Sequence, residues 1–418
     1  MKITSVIARE ILSSSSLPTI ETKVILENGM SARASVPFGA SSGKHEAITL
    51  VDNDQKRYFG KGMLNAVKNV KETIAPFIVG LEVQDQLKID EILLSLDTSP
   101  QKEKLGGNSI LSVSLACARA ASITLDKTLY QHIKDTYSFD EEINILPKPM
   151  MVVIEGGKHA DSSTDFQEYM FVATLDKNTI ESIRAVEESY QKLGQLLKES
   201  GFNTNVGLEG AYAYTSAKSN QEPLGYMQKA VIASGYKIPD EIGIAIDPAA
   251  SEFNIEGAYH LQKEDRKLSS DELIEYYQKL SDEYPIISIE DGLSQDDWLG
   301  WTNLNAKLGK KVMIVGDDLT VTNSTRLKKA IEAKAINTVI IKPNQVGTLS
   351  ETIDAIKIAK KNGLKVVVSH RGGGETTDTF IIDLAVAAFA DFVKVGPSRG
   401  ERTEKYNRLM EIAEQLNL

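Results

Sequence analysis

The chain has 418 residues, 42% of them hydrophobic, and a formal net charge of −11, so two domains, or one large barrel with an appendage, are expected. The acidic balance argues against non-specific nucleic-acid binding, and an anionic substrate would need cations gathered locally. No apolar run approaches the ~18 residues of a membrane span, MKITSVIAREIL is too short and charged for a secretory signal, and Cys117 as sole cysteine excludes a disulfide framework or thiolate zinc site; a cytoplasmic enzyme fits.

In chain order, TSVIAREIL and TIETKVILENGMSARASVP read as a small sheet. VPFGASSGKHEA, at 36–47, reads as an exposed flexible loop or a plain hairpin turn, and GNSILSVSLACARAAS as a helix. Together they predict an α+β domain over 1–140. LPKPM, with prolines at 147 and 149, marks the passage to a second domain over 141–418. KPMMVVIEGG and EYMFVATL follow as apolar strands. Only 12 residues, 155–166, lie between them, which is short for a parallel crossover. The second strand is therefore expected to run antiparallel, with Gln167 and Glu168 at its start.

Six further apolar runs each carry charge at or near the end. IGIAIDPAASEF reaches Asp247, YPIISIEDGL Glu290, VMIVGDDL Asp317, NTVIIKPNQVG Lys342 and LKVVVSHRGGG His370 and Arg371; ADFVKVGPSRG contains Lys394. Helical patterns such as SETIDAIKIAKKNG fill the gaps. A strand and a helix repeated every ~25 residues is the βα unit of a parallel sheet, and eight strands close a barrel whose C-terminal ends share one face. An antiparallel second strand puts Glu168 on that face too. Any one acid there could simply cap the following helix. Asp247, Glu290 and Asp317 on neighbouring strands, with Lys342 on the next, instead call for a divalent cation. All-oxygen ligation selects Mg²⁺, Ca²⁺ or Mn²⁺ over zinc. Asp318, one residue beyond the strand end, is expected to be less sensitive to substitution than Asp317.

These residues resemble the enolase family from REIL at 9 to KYNRLMEIAEQL at the C-terminus, through GKHADSSTDFQEYM, AASEF, YPIISIEDGLSQDDWLGW, VGDDLTVTN, IIKPNQVGTLSET, VVVSHR and ERTEKYNRL. The resemblance implies an α+β cap on a modified barrel whose second strand is antiparallel, and Mg²⁺-dependent dehydration of 2-phosphoglycerate to phosphoenolpyruvate in a homodimer or higher homo-oligomer. By family motif, Lys342 is the base, Glu209 protonates the departing hydroxyl and Glu168 supports Glu209. Asp247, Glu290 and Asp317 hold the first of two Mg²⁺ ions, and Ser41 joins the second. Lys394 and Lys342 sit near the substrate carboxylate, and Gln167 is a further substrate-binding residue. His159, His370 and Arg371 line the substrate, Arg371 and position 372 facing the phosphate. Beside Mg²⁺ and Lys394, Lys342 is expected to have a depressed pKa.

The chain departs from the family pattern at several points. Phe38 stands for a serine in the mobile loop, Glu155 and Lys158 flank His159, and Leu208 precedes Glu209. The phosphate-contacting serine is replaced by Gly372, with one residue inserted, which is expected to weaken phosphate binding. A cross-subunit Glu–Arg pair becomes Glu21 and Glu411. Besides an enolase, a hydro-lyase acting on a related acid and an enolase-like binding protein remain as readings.

Overall fold

The alternation of buried and exposed side chains along the first strands lets them pair as an antiparallel sheet of β1 (Ile3–Leu12), β2 (Pro18–Leu26) and β3 (Ser31–Ser35). The computed structural model describes residues 1–39, 43–161, 163–175, 178–215 and 217–418. The helix Gly107–Thr124 is buried almost all round, as its small and apolar residues permit. It meets the sheet through a hydrogen bond between Ser112 and Thr22 hydroxyls at 2.6 Å.

The barrel strands are β4 (Lys148–Glu155), β5 (Glu168–Ala173), β6 (Ile242–Asp247), β7 (Ile286–Glu290), β8 (Met313–Gly316), β9 (Thr338–Ile341), β10 (Lys365–Ser369) and β11 (Phe392–Val395). They pair in that order, and β11 closes on β4 in parallel register. β5 is antiparallel to both β4 and β6, which brings Glu168 opposite Asp247. The eight strands and the reversed second one are those expected from the sequence. Not anticipated is a two-residue strand, Tyr212–Ala213, parallel to β4.

Side chains alternate across the wall, as a period of two requires. Met150, Val152, Met170, Val172, Ile340 and Val367 fill the interior, whereas Met151, Val153 and Phe171 join the outer core beneath the helices. The helix Leu349–Lys361 starts where the sequence pattern starts it and ends just before Gly363, whose φ of 73° needs glycine. Its N-terminus is held by the first domain. Asp90 accepts the Ser350 N–H and hydroxyl at 2.9 and 2.7 Å, and Ser114 accepts the Leu349 N–H at 3.0 Å. Arg119 forks onto Asp378 at 2.9 and 2.8 Å. These contacts fix the first domain against the barrel and over its charged mouth. Among the described residues, no single helix is long and apolar enough to cross a membrane.

Candidate active site

The barrel brings one charged residue after another to a single mouth. Lys394, from β11, is 2% exposed. Its ammonium lies 2.7 Å from Glu168, 2.7 Å from Glu290 and 3.5 Å from Asp247. Burial alone would lower its pKa, but these three carboxylates outweigh it and hold it well above the ordinary lysine value. The acids resist ionisation in turn. Burial and then Glu290 push Asp247 well up, and burial lifts Glu290 to about 7 despite Lys394.

The adjacent acids after β8 are accommodated by a third. Asp291, at φ 41°, turns its carboxylate to accept the Asp317 and Asp318 N–H groups at 3.0 and 2.9 Å. Ligand atoms of Asp291, Asp317 and Asp318 lie within 4.8 Å of one another. Asp318 thus stays beside Asp317 and Asp291, because the turn after β8 folds back rather than carrying it away. Burial and then Asp317 raise it to about 7. Val321 and Thr322 pay for this turn with φ of 44° and 56°, a strained region for β-branched residues. The Thr322 hydroxyl accepts the Lys342 N–H at 2.9 Å and donates to Gln345 at 2.7 Å; Gln345 in turn donates to Asp317 at 2.8 Å.

Lys342 contacts Asp317 directly. Burial works to lower its pKa, but Asp317 wins and holds the ammonium above the ordinary lysine range. The depressed value expected from the sequence is that of a lysine facing Mg²⁺; the group in contact with Lys342 here is the Asp317 carboxylate, which Gln345 shares.

A second network surrounds Glu209, which is fully buried. His159 lies 2.9 Å from it on one side and His370 3.0 Å on the other; His159 is also 3.3 Å from Glu168. Burial opposes the charge on His159, yet Glu168 and Glu209 raise it to about 10. Arg371 is forked onto Glu46 at 2.6 and 3.0 Å. A Cβ at Gly372 would fall 2.8 Å from His159 Cε1 and closer still to a Glu209 oxygen. The next residue, Gly373, has φ 68°, and the Gly374 carbonyl accepts the Phe38 N–H at 2.8 Å.

One cavity is lined by Glu46, His159, Gln167, Glu168, Asp247, Asp317, Asp318, Lys342, Arg371 and Gly372 among others. Glu209, Glu290, His370 and Lys394 adjoin it through contacts with these residues or with one another. The donor set fits a hard cation: Asp247, Glu290 and Asp317 offer only oxygen atoms at neighbouring strand ends, and Glu290 Oε1 is buried without a hydrogen-bond partner among the described residues. Ser41 lies outside the described residues.

Family models cover nearly the whole chain: one described as the enolase N-terminal domain matches residues 3–133, and one described as the enolase C-terminal TIM barrel domain matches residues 143–418. The chain belongs to the enolase family.

In this enolase-family site, sequence reasoning missed Glu46, Asp291 and Gln345. Glu46 comes from the first domain, across 325 residues from Arg371, and no local pattern signals that pairing. Asp291 was legible only as the neighbour of Glu290. Of the departures from the family pattern, Lys158 pairs with Glu252 at the cavity mouth, Leu208 is exposed, and Glu155 is buried beneath the Glu209 turn.

Proposed function

We propose that this chain is a hydro-lyase that dehydrates 2-phosphoglycerate to phosphoenolpyruvate and water, and runs the reverse. The observation that carries the reading is the convergence of Lys342, Arg371, Glu168, Asp247 and Asp317 on one cavity, with Glu209 held between His159 and His370. Lys342 takes the proton from C2, and Glu209 delivers a proton to the C3 hydroxyl as it leaves as water. Glu209 must first gain that proton: burial would raise its pKa, but His370 and His159 outweigh burial and hold it well below the usual carboxylate range. Glu168, paired through His159, steadies Glu209.

Mg²⁺ held by Asp247, Glu290 and Asp317 would supply the positive charge that offsets the growing negative charge on the substrate carboxylate. Lys394 stands among the same acids. Lys342 accepts a proton only once its contact with Asp317 is relaxed, because the pair keeps it charged. Arg371 turns to the phosphate by exchanging Glu46 for it, a planar fork suiting either partner.

The test is the absorbance of phosphoenolpyruvate on adding 2-phosphoglycerate and Mg²⁺; no signal with folded protein refutes the reading. Glu209→Gln should still exchange the C2 proton with deuterated water while forming no product, and Lys342→Ala should lose both. Gly372, which offers no hydroxyl, favours the second reading, a hydro-lyase for a related acid; turnover of a non-phosphorylated 2-hydroxy acid in preference to 2-phosphoglycerate would select it.

A homodimer is proposed from the family. Within the chain, Glu21 is taken by Arg9 at 2.8 Å and Glu411 by Arg408 at 2.8 Å, so the seam would not rest on a Glu21–Glu411 contact. Sedimentation equilibrium decides it.

A further inference from the structure

Glu155 ends β4 and is fully buried. Its carboxylate faces the turn that carries Glu209: Oε2 accepts the Glu209 N–H at 3.0 Å and Oε1 the Ala211 N–H at 2.7 Å. The same turn is tied to the His159 segment, where the Leu208 N–H donates to the His159 carbonyl at 3.0 Å. It closes on itself, with the Gly207 N–H donating to the Ala211 carbonyl at 3.0 Å. The fit is close: a Cβ on Gly207 would fall 2.5 Å from the His159 carbonyl oxygen and 2.6 Å from Glu155 Oε2.

Two N–H groups aimed at one side chain need two acceptors. A carboxylate offers both. The asparagine or glutamine amide offers one oxygen, and its NH₂ would meet the second N–H donor to donor. The cost of the carboxylate is plain, since burial and then the charge of Glu209 push Glu155 up to about 8. His159 is the other charged group that faces it. A buried acid placed beside another acid is tolerated where its hydrogen bonds hold something in place.

We infer that Glu155 is a positioning residue that fixes the main chain of Glu209, so that the Glu209 carboxylate reaches the departing hydroxyl from between His159 and His370. The inference rests on the assignment of Glu209 as the proton donor above. Glu155 touches no substrate in this scheme. It acts on the elimination half of the reaction and leaves proton abstraction by Lys342 alone.

The experiment compares full-length wild-type enzyme, Glu155→Gln and Gly207→Ala at saturating Mg²⁺. Three quantities are read for each: C2 hydrogen exchange of 2-phosphoglycerate in deuterated water, kcat for phosphoenolpyruvate formation, and KM. Wild-type enzyme with neither exchange nor product would refute the parent reading, whatever the variants do. With active wild type, Glu155→Gln should lower kcat by at least tenfold, with exchange and KM within about threefold of wild type. Gly207→Ala, which presses on the same clamp from the turn side, should show the same split and supplies the answer where Glu155→Gln does not fold. Equal loss of exchange and elimination, or no loss of either, overturns the inference, because a merely structural role would lower both together.

Discussion

Gly372→Ser restores the residue type that the family pattern carries after the arginine, and the structure predicts that it harms this enzyme. The added Cβ would stand 2.8 Å from His159 Cε1, where ordinary contacts begin at 3.4 Å, so the ring has to give by about 0.6 Å. The Glu209 oxygen is nearer still. His159 cannot retreat freely, being within 3.3 Å of Glu168 and 2.9 Å of Glu209, and Glu209 is backed by His370. Overpacking of this kind costs ~1–3 kcal/mol, and a displacement near 1 Å in a catalytic group costs about a hundredfold in rate. The expected result is a kcat lowered ~10- to 100-fold, with a fall of a few degrees in Tm. A hydroxyl in reach of phosphate would at the same time tighten KM, since a hydrogen bond to a charged group is worth ~1.5–3 kcal/mol. Replacing RGGGE by RSGE also removes the inserted glycine and lets the backbone withdraw, so it should retain more kcat than the single change. Steady-state kinetics and thermal melts of both variants at saturating Mg²⁺ are sufficient. A Gly372→Ser enzyme with wild-type kcat and Tm would refute the steric argument.

The remaining predictions concern charge. Asp317→Asn should weaken Mg²⁺ binding in titration calorimetry, and Asp318→Asn should weaken it as well, because the two carboxylates share one cluster with Asp291; unchanged binding in both would remove that cluster from the metal site. Lys394→Met leaves Glu168, Asp247 and Glu290 without their shared cation, so denaturant unfolding in metal-free buffer should show a loss of ~3–5 kcal/mol. Mg²⁺ at a hundred times its Kd should restore about 2.7 kcal/mol of that, and wild-type stability without metal would contradict the account. At the domain seam, burial pushes Asp378 up, but Arg119 and the N–H groups of Ser35 and Phe380 outweigh it and hold its pKa below the ordinary value. Its contribution is therefore complete above pH ~4 and lost as pH falls through the folded-state value; Asp378→Asn should be less stable at neutral pH and show a flatter acid limb in pH-dependent unfolding.

The barrel was legible in the sequence because each strand carries its own signal. An apolar run such as VMIV is long enough to line a wall, and the polar residue that follows cannot enter the core, so it marks the strand end. Even the reversed β5 could be read, since 12 residues leave no room for a crossover helix. With the period fixed, the side of the barrel that gathers Asp247, Glu290, Asp317, Lys342 and Lys394 follows from chain geometry alone.

Pairing across the mouth was decided only by the tertiary structure. Which acid takes Lys394, that Glu46 takes Arg371 and that Asp318 folds back onto Asp291 depend on distances between residues as much as 325 positions apart. No local pattern encodes such distances. The charge state of Lys342 belongs to the same class. Its sequence neighbours say nothing of Asp317, yet Asp317, brought against it by the adjacent strand, outweighs burial in setting its proton affinity. Periodicity determines where a side chain emerges because it is a property of the backbone. Electrostatics in a buried site depends on what else emerges there, and only closure of the whole barrel and its cap brings those groups together.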